Sequence, residues 1–285
     1  MFNGTTQLEG LDPWARRLVI DRQNLLGRQT AQNKFDAFNR TTHSVQDYAF
    51  QGWGSFDVSY APGGGTGQVK VGVRVGFSFL NGDVVPGESS DAMTWADEAK
   101  QEWKEEFMSS IEAVWSGQHR FKCLHQDANH QQSPTWSDLR PGVSIDIIED
   151  ASNPHFNVEV TKIPEGAFER SSVRRPSRDT NGQVTTPGVA NLDSEDDSPR
   201  TKTSSPDGVT QRGSVHEFAH MIGLQDEYAT AETDGDMTRQ GVPKRVGDNA
   251  SIMSGGEVVE QAHYSSILEA LNAAVANFRV RFGFE

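Results

Sequence analysis

The sequence predicts an α+β protein with one five-stranded sheet and long helices. Apolar and polar residues alternate strictly from Val69 to Phe79, which is the pattern of a strand with one buried face. Within residues 92–116, apolar residues recur instead at every fourth position, as in an amphipathic helix. Strand and helix patterns therefore occupy separate parts of the chain, and a further short helix is predicted over residues 210–222.

The composition limits the classes of protein to consider. At 285 residues, with 35% hydrophobic and 23% charged residues, the chain fits a globular protein with an ample core. A net charge of −14 argues against nucleic acid or an anionic membrane as a partner, because both demand a basic surface. The single cysteine, Cys123, excludes an internal disulfide and is expected to be a buried thiol within a strand. No apolar stretch approaches the ~20 residues that span a bilayer.

Residues 1–45 are predicted to form an N-terminal helical extension, and residues 46–285 a single main domain. Asp12 is a good N-cap and Pro13 suits the first helical position. An apolar stripe on this helix is expected to pack on the main body, although a propeptide or a docking segment would fit as well. The stripe consists of Trp14, Leu18, Leu25 and Leu26.

The five predicted strands span residues 53–60, 69–79, 119–125, 143–149 and 155–163. Glycine-rich residues 63–67 join the first two as a hairpin, and Gly117 ends the long helix. A last amphipathic helix is predicted over residues 257–278, followed by a terminal strand. Strand, long helix, strands and a short helix therefore follow one another along the chain.

Residues 164–209 interrupt these patterns with Pro, Ser, Thr, Asp and Gly. A loop of this length inside a compact domain is uncommon and is usually functional or disordered. The segment is predicted to be a long, mobile loop. A solvated linker is an equally good interpretation.

The chemistry concentrates in the run from Val215 to Tyr228. If residues 210–222 are helical, His216 and His220 lie one turn apart on one face, with Glu217 beside them. Two imidazoles at that spacing can bind one zinc ion, and the adjacent carboxylate can act as a base. Gly223 suits a left-handed helix end, after which the chain can return Asp226 to the metal. The pattern therefore supplies three ligands, a base and a turn.

This run resembles the zinc-binding signature of the metzincin metalloproteases, which usually ends in a third histidine. The snapalysin-type bacterial proteases are similar to this sequence in using an aspartate at that place. Metzincins also have a methionine-containing turn below the metal, the Met-turn, which Ser251-Ile252-Met253-Ser254 resembles. The resemblance implies a twisted mixed sheet, zinc held by His216, His220 and Asp226, and Met253 packed beneath the metal. It also implies that residues 46–285 are the catalytic domain, and that residues 164–209 lie close to the active-site cleft and cover or narrow it.

Other third ligands remain open at the level of sequence. Glu227 adjoins Asp226 and is also a competent ligand, although the spacing after Gly223 favours Asp226. A glutamate on a following helix, such as Glu257 or Glu260, would serve as in the thermolysin-like group. Gly223 and the Met-turn argue against that alternative, because the thermolysin-like group needs neither.

The tyrosine that stabilises the oxyanion in several metzincins has no counterpart here. Its place, two residues after Met253, is occupied by Gly255. Tyr228 and Tyr264 are substitutes only by their proximity in sequence. Zinc alone, or a backbone amide at the cleft edge, could stabilise the transition state instead.

The resemblance implies a zinc-dependent metalloprotease that hydrolyses peptide bonds through a zinc-activated water, with Glu217 as general base. An endopeptidase is expected, because the cleft of this family is open at both ends. A cell-wall peptide amidase is the alternative among enzymes. A catalytically silent binding or delivery module on a metal-bearing scaffold is the alternative outside enzymes. Glu217 argues against the silent module, since structural zinc needs no base.

The expected partner is a protein or peptide substrate, with no nucleic acid and no membrane span. Turn-like residues at 233–236 and 248–249 suggest a structural Ca²⁺ site in addition to Zn²⁺. Residues Met1 to Thr6 have neither a basic region nor an apolar run, so no signal peptide is expected. Export by a non-standard route would fit, while the compartment and the oligomeric state stay open.

Overall fold

The computed structural model describes residues 10–63, 65–124, 136–201, 208–227 and 250–285. The α-helices of this part are α1 (Pro13–Asn39), α2 (Asp97–Trp115), α3 (Gly213–Met221) and α4 (Ser265–Ala274). The first strands are β1 (His43–Phe50), β2 (Trp53–Ala61), β3 (Gln68–Leu80), β4 (Phe121–Cys123), β5 (Gly142–Glu149) and β6 (Phe156–Thr161). The later strands are β7 (Ser172–Arg174), β8 (Ser177–Arg178), β9 (Val184–Thr186), β10 (Gly188–Asp193), β11 (Arg200–Thr201), β12 (Thr210–Gln211) and β13 (Phe282–Phe284). Short 3₁₀ helices span Ser90–Met93, Gln261–Tyr264 and Ala276–Phe278.

The main sheet is mixed, and β3 lies at its centre. Its order is β1-β2-β3-β6-β10-β7, and β5 pairs with β3 in addition. β2 pairs antiparallel with the first part of β3, whereas β6 pairs parallel with the second part, from Val75 to Leu80. β5 runs parallel to β3 from Gln68 to Val75. The α+β class with a mixed sheet is thus confirmed.

The predicted number of five strands is wrong, because the main sheet has seven. β1 was not predicted, since the helical extension was expected to continue to residue 45, and β7 and β10 lie in the stretch predicted as loop. The predicted strand at 119–125 is confirmed only as the short β4, which pairs with β13 outside the main sheet. Its Cys123 is half-buried, whereas a buried thiol was expected. Strand pairing is decided by partners distant in sequence, so local alternation identifies long central strands better than short edge strands.

The alternation of β3 has the predicted consequence. Val69, Val71, Val73 and Val75 are fully buried. Helix α2 packs its aromatic stripe into the same core, where Phe107 meets Phe77 edge to face at 5.6 Å between ring centroids. The long helix is therefore a core element, as its periodicity predicted, although it begins at Asp97 and the residues before it form a 3₁₀ turn.

Helix α1 begins as predicted but does not bury its apolar stripe. The Asp12 carboxylate accepts hydrogen bonds from the backbone N–H groups of Trp14 and Ala15 at 2.9 and 3.0 Å. Trp14 is nevertheless 73% exposed, and Leu18, Leu25 and Leu26 are exposed too, so the expected packing on the main body is wrong for them. The helix joins the core through Phe38 near its C-terminus. The division at residue 45 falls inside β1, and its status as a domain boundary stays a prediction.

The segment 164–209 contains regular structure, contrary to the prediction of a long loop. β10 pairs parallel with β6 and antiparallel with β7, within the main sheet. Ala190 and Leu192 are buried there, which compensates for the polar composition around them. The predicted mobility of the segment stays a prediction.

The C-terminal region confirms a helix and a strand in shorter form. The helix predicted over 257–278 is divided into a 3₁₀ turn, α4 and a second 3₁₀ turn. β13 pairs antiparallel with β4, opposite Cys123 and Phe121. Within the described ranges, no helix combines the length and the apolar composition needed to cross a membrane.

Candidate metal centre

Helix α3 carries the two histidines and ends where the sequence predicts. Gly223 has φ +94°, a left-handed conformation that glycine adopts without strain. Its N–H donates to His220 O at 3.0 Å, and Leu224 N–H donates to Ala219 O at 2.9 Å. These two bonds are those of a Schellman motif, which reverses the chain after a helix. The reversal allows Asp226 to return towards the helix.

The two histidines present the same ring nitrogen to one point. His216 Nδ1 lies 2.7 Å from Ile252 O, and His220 Nδ1 lies 2.9 Å from Leu224 O. A carbonyl oxygen can only accept, so each Nδ1 must carry a proton and donate it. In the neutral rings the Nε2 lone pairs are then free to bind a metal, which is the tautomer that metal-binding histidines use.

Asp226 completes a set of three converging donor atoms. Its Oδ1 lies 3.2 Å from His216 Nε2 and 3.3 Å from His220 Nε2. This buried oxygen makes no hydrogen bond of acceptable geometry, despite these short distances. Zinc–ligand bonds of 2.0–2.2 Å in a tetrahedron imply ligand–ligand distances of about 3.3–3.5 Å. The chemistry of the donor atoms and the two distances from Asp226 to the imidazoles therefore fit a tetrahedral zinc ion.

The electrostatics of the site favour a cation between these groups. Burial lowers the pKa of His220, but the nearby carboxylates of Asp226 and Glu217 raise it to about 9. Burial raises the pKa of Asp226, but the two imidazoles outweigh it and hold that pKa well below its usual value. Both shifts have one cause: two carboxylates face two imidazoles in a confined space. A proton or a metal ion relieves the charge imbalance.

Glu217 lies between the metal-site histidines and a cleft. One potential ligand atom each from His216, Glu217 and His220 lie within 4.8 Å of one another. His216 and Glu217 also line a cavity of about 870 Å³, whose far side is formed by residues of the 164–201 stretch, among them Phe168, Arg170 and Arg200. The predicted base is thus placed where a bound substrate could reach it. Residues of the predicted loop therefore line the same cavity as His216 and Glu217.

The first turn of α3 is held by the same stretch of chain. Asp196 O accepts hydrogen bonds from Ser214 N–H at 3.1 Å and from the Ser214 hydroxyl at 3.2 Å. A side chain at Gly213 would collide with the Asp196 carboxylate, so glycine permits this close approach. The wall of the cleft and helix α3, called the metal helix below, are therefore joined directly.

The chain matches no family model, no curated protein and no solved structure. The chemistry of the site is therefore argued from the arrangement of its own residues.

The turn predicted to lie beneath the metal contacts the site through its backbone. Met253 is 1% exposed and belongs to the core. Its carbonyl oxygen accepts from Glu227 N–H at 2.8 Å, and the preceding carbonyl, of Ile252, accepts from His216. The turn therefore supports the first predicted ligand directly and the third through the neighbouring residue.

The rival third ligands are engaged elsewhere. Glu227 is buried, and its two carboxylate oxygens face Ser251 and His263, at 2.6 and 3.3 Å. Glu257 forms a two-pronged ion pair with Arg212, with distances of 2.9 and 2.8 Å. Neither these glutamates nor Glu260 belongs to a metal-binding group among the described residues. Asp226 is not part of the group of His216, Glu217 and His220 either, but its Oδ1 lies 3.2 and 3.3 Å from the two imidazole Nε2 atoms.

Two further expectations on tyrosine and calcium have different outcomes. The Tyr264 hydroxyl donates to Trp115 O in the core, so it is not available to an oxyanion. Tyr228 lies outside the described residues, as do the turns at 233–236 and 248–249 that suggested calcium.

Sequence reasoning missed a second polar cluster, on the main sheet. Asp47, Asp57 and His155 meet the same distance criterion for a metal-binding group. His155 Nδ1 accepts from Arg74 N–H at 3.0 Å, so its Nε2 carries the proton and lies 3.0 Å from Asp47. The Arg74 guanidinium bonds both aspartates, which gives the cluster its own cation. This cluster is therefore an internal ion-pair network.

Proposed function

We propose that this protein is a zinc-dependent peptidase of the metzincin type, with Glu217 as its catalytic base. One observation carries the proposal: Asp226 Oδ1 lies 3.2 and 3.3 Å from the two Nε2 atoms and makes no hydrogen bond of acceptable geometry. A purely structural ion pair would place hydrogen bonds along these directions. The order of His216, Glu217, His220, Gly223 and Asp226 along the chain supports the same interpretation.

The residues of the site would have separate roles in binding the metal and in transferring protons. Zinc, when bound, supplies a Lewis acid and a coordinated water of lowered pKa. His216, His220 and Asp226 would hold it and leave a fourth direction open to the cleft. Glu217 would accept the proton of the attacking water and later donate it to the leaving amine. General acid–base catalysis of this kind contributes about 10²–10⁴-fold to the rate.

The cleft supports an extended peptide as the substrate. Its volume of about 870 Å³ lies at the upper end of ordinary ligand pockets, and its lining mixes aromatic, basic and acidic side chains. An endopeptidase is the form of the proposal that we favour. The position of Glu217 in the lining argues against a silent module, since a scaffold zinc needs no base facing a cleft.

Cleavage assays with matched variants test the proposal. Zinc-loaded wild-type protein is expected to cleave casein, a chelator such as 1,10-phenanthroline should abolish cleavage, and added zinc should restore it. Glu217→Gln should retain zinc, measured by elemental analysis, and lose at least about 100-fold in rate. Glu149→Gln is the control and should behave as wild type. Glu149 is exposed at the end of β5 and forms an ion pair with Lys104 of α2.

The products decide between the alternatives. Mass spectrometry of a digested mixed proteome should show new termini at internal peptide bonds. Cleavage of cell-wall peptides alone would identify an amidase. If zinc-loaded protein cleaves neither kind of substrate, the enzymatic proposal is wrong.

A further inference from the structure

Glu227, Ser251 and His263 form a buried hydrogen-bonded cluster directly behind the metal centre. The Ser251 hydroxyl donates to Glu227 Oε2 at 2.6 Å, and His263 Nε2 lies 3.3 Å from Glu227 Oε1. All three residues are at most 6% exposed. We call these residues the Glu227 cluster.

The protonation of the cluster follows from its hydrogen bonds. His263 Nδ1 accepts from Glu260 N–H at 2.9 Å, so it carries no proton. Nε2 then carries the ring proton and donates it to Glu227. The Ser251 hydroxyl donates to the carboxylate as well, so Glu227 receives two donors and suits a buried anion.

The cluster resembles a serine–histidine–glutamate triad only in composition. In such a triad the serine hydroxyl donates to histidine, whose other nitrogen donates to the acid. Here the hydroxyl donates to the acid, and the second ring nitrogen accepts from the backbone. Ser251 is fully buried besides, which keeps it from any substrate. The cluster therefore has no nucleophile.

Its contacts lead instead to the metal ligands. Ser251 Oγ accepts from Met253 N–H at 3.2 Å, and Glu227 N–H donates to Met253 O at 2.8 Å. Both backbone polar groups of Met253 are thus held by members of the cluster. Ile252, between Ser251 and Met253, accepts from His216, and Glu227 directly follows Asp226.

The cluster also joins two parts of the chain that are distant in sequence. Residues 227 and 250 border the stretch outside the described residues, and Glu227 and Ser251 meet across it. Helix α3 ends at Met221, so it does not itself fix Asp226. The third ligand depends on contacts made after the helix has ended.

From these contacts we infer that the Glu227 cluster is a positioning device, which holds Asp226 and the turn at 251–253 against the metal helix and thereby sets the affinity and geometry of the metal site. The inference rests on the proposed zinc site. Glu227, Ser251 and His263 act through other residues and contact neither metal nor substrate. Groups that orient metal ligands in this way typically change metal affinity 10–100-fold when they are replaced.

Two substitutions in the cluster and one matched control test this role. Ser251→Ala removes one buried hydroxyl from the cluster, and Glu227→Gln places an amide N–H₂ group against the His263 or Ser251 donor. Tyr264→Phe also removes one buried hydroxyl, from the bond to Trp115 O, but outside the cluster. Zinc affinity is measured by competition with a chromophoric chelator, and Co²⁺-substituted protein reports ligand geometry through its visible absorption.

Ser251→Ala and Glu227→Gln should bind zinc 10–100-fold more weakly and alter the Co²⁺ spectrum, while Tyr264→Phe keeps both at wild-type values. A loss of stability alone would lower the thermal midpoint of all three variants without changing the spectrum. If Glu227→Gln does not fold, Ser251→Ala carries the test. Wild-type zinc affinity and spectrum in the folded cluster variants overturn the inference and leave the proposed function standing. Failure of the wild-type protein to bind zinc overturns both.

Discussion

His216 donates a hydrogen bond from Nδ1 to the carbonyl oxygen of Ile252, 2.7 Å away. This bond joins the metal helix to the turn that the sequence predicts beneath the metal. It also fixes the tautomer that leaves Nε2 free for a metal ion. Two segments that are distant in sequence thus contribute to one site.

Asp226→Ala should remove the third ligand. Replacing a residue that only orients a ligand lowers metal affinity by up to about 100-fold. We expect a larger fall in zinc affinity here, because a direct donor is lost. Chelator competition measures the affinity, and Asp83→Ala, at an exposed position, is the control. Full retention of zinc by Asp226→Ala would assign the third ligand to another residue.

Zinc should stabilise the folded protein. Zinc at 100 times its dissociation constant adds about 2.7 kcal/mol to the free energy of unfolding. The thermal midpoint, followed by circular dichroism, should therefore rise by a few degrees relative to protein treated with a chelator. A His216→Ala/His220→Ala double variant should show no zinc-dependent shift. The same shift in that variant would place the ion elsewhere.

Gly54→Ala should destabilise the end of the metal helix. A Cβ at Gly54 would lie 2.6 Å from Gly223 N and 2.6 Å from Met221 O, both of them backbone atoms. Overpacking of this kind costs about 1–3 kcal/mol. Gly52→Ala is the matched control, because Gly52 also has a positive φ but faces open space. Urea unfolding should show a greater loss of unfolding free energy for Gly54→Ala than for Gly52→Ala. Equal losses would mean that the cost comes from the positive φ alone and not from the collision with Gly223 and Met221.

The Asp197→Asn variant should gain in free energy of unfolding, relative to wild type, as the pH rises. Burial, together with the charges of Asp196 and Glu106, raises the pKa of Asp197 to about 8. The folded state therefore keeps a proton that the unfolded chain releases near pH 4, and stability falls as the pH rises from 4 to 8. Asparagine cannot ionise, so the variant avoids this loss.

At pH 9 the Asp197→Asn variant should exceed wild type by at least about 1 kcal/mol relative to their difference at pH 4. Urea unfolding at both pH values measures this, with the exposed Asp83→Asn as the control. A difference between variant and wild type that does not change with pH would show that folding does not raise the pKa of Asp197.

The regular patterns of the sequence were sufficient to predict an element where the pattern itself shows which face is buried. The alternation of β3 and the four-residue recurrence in α2 each describe a single buried face, so both elements were predictable. The start of α1 at Pro13 and the end of α3 before Gly223 follow from local chemistry in the same way. The apolar stripe of α1 shows the limit, because a stripe alone does not supply a surface to pack against.

Short strands in polar stretches and buried polar groups were not predictable. β10 lies in a Pro- and Asp-rich stretch and is a strand because β6 and β7 pair with it on either side. His263 lies in the stretch predicted as an amphipathic helix, where nothing marked it as buried, yet it is 3% exposed beside Glu227. No periodic signal marks such residues, since their partners are distant in the chain.

The sequence by itself determined which residues could hold a metal: His216 and His220 one helical turn apart, a glutamate between them and a glycine that ends the helix. The spacing after Gly223 favoured Asp226 as the third ligand but left Glu227 open, because adjacent residues share almost the same reach along the chain. Only the tertiary structure separates the two carboxylates, by directing Asp226 to the two imidazoles and Glu227 to Ser251 and His263. Two buried carboxylates cannot share one confined space without opposite charge or donors around each, and only folding brings those partners together.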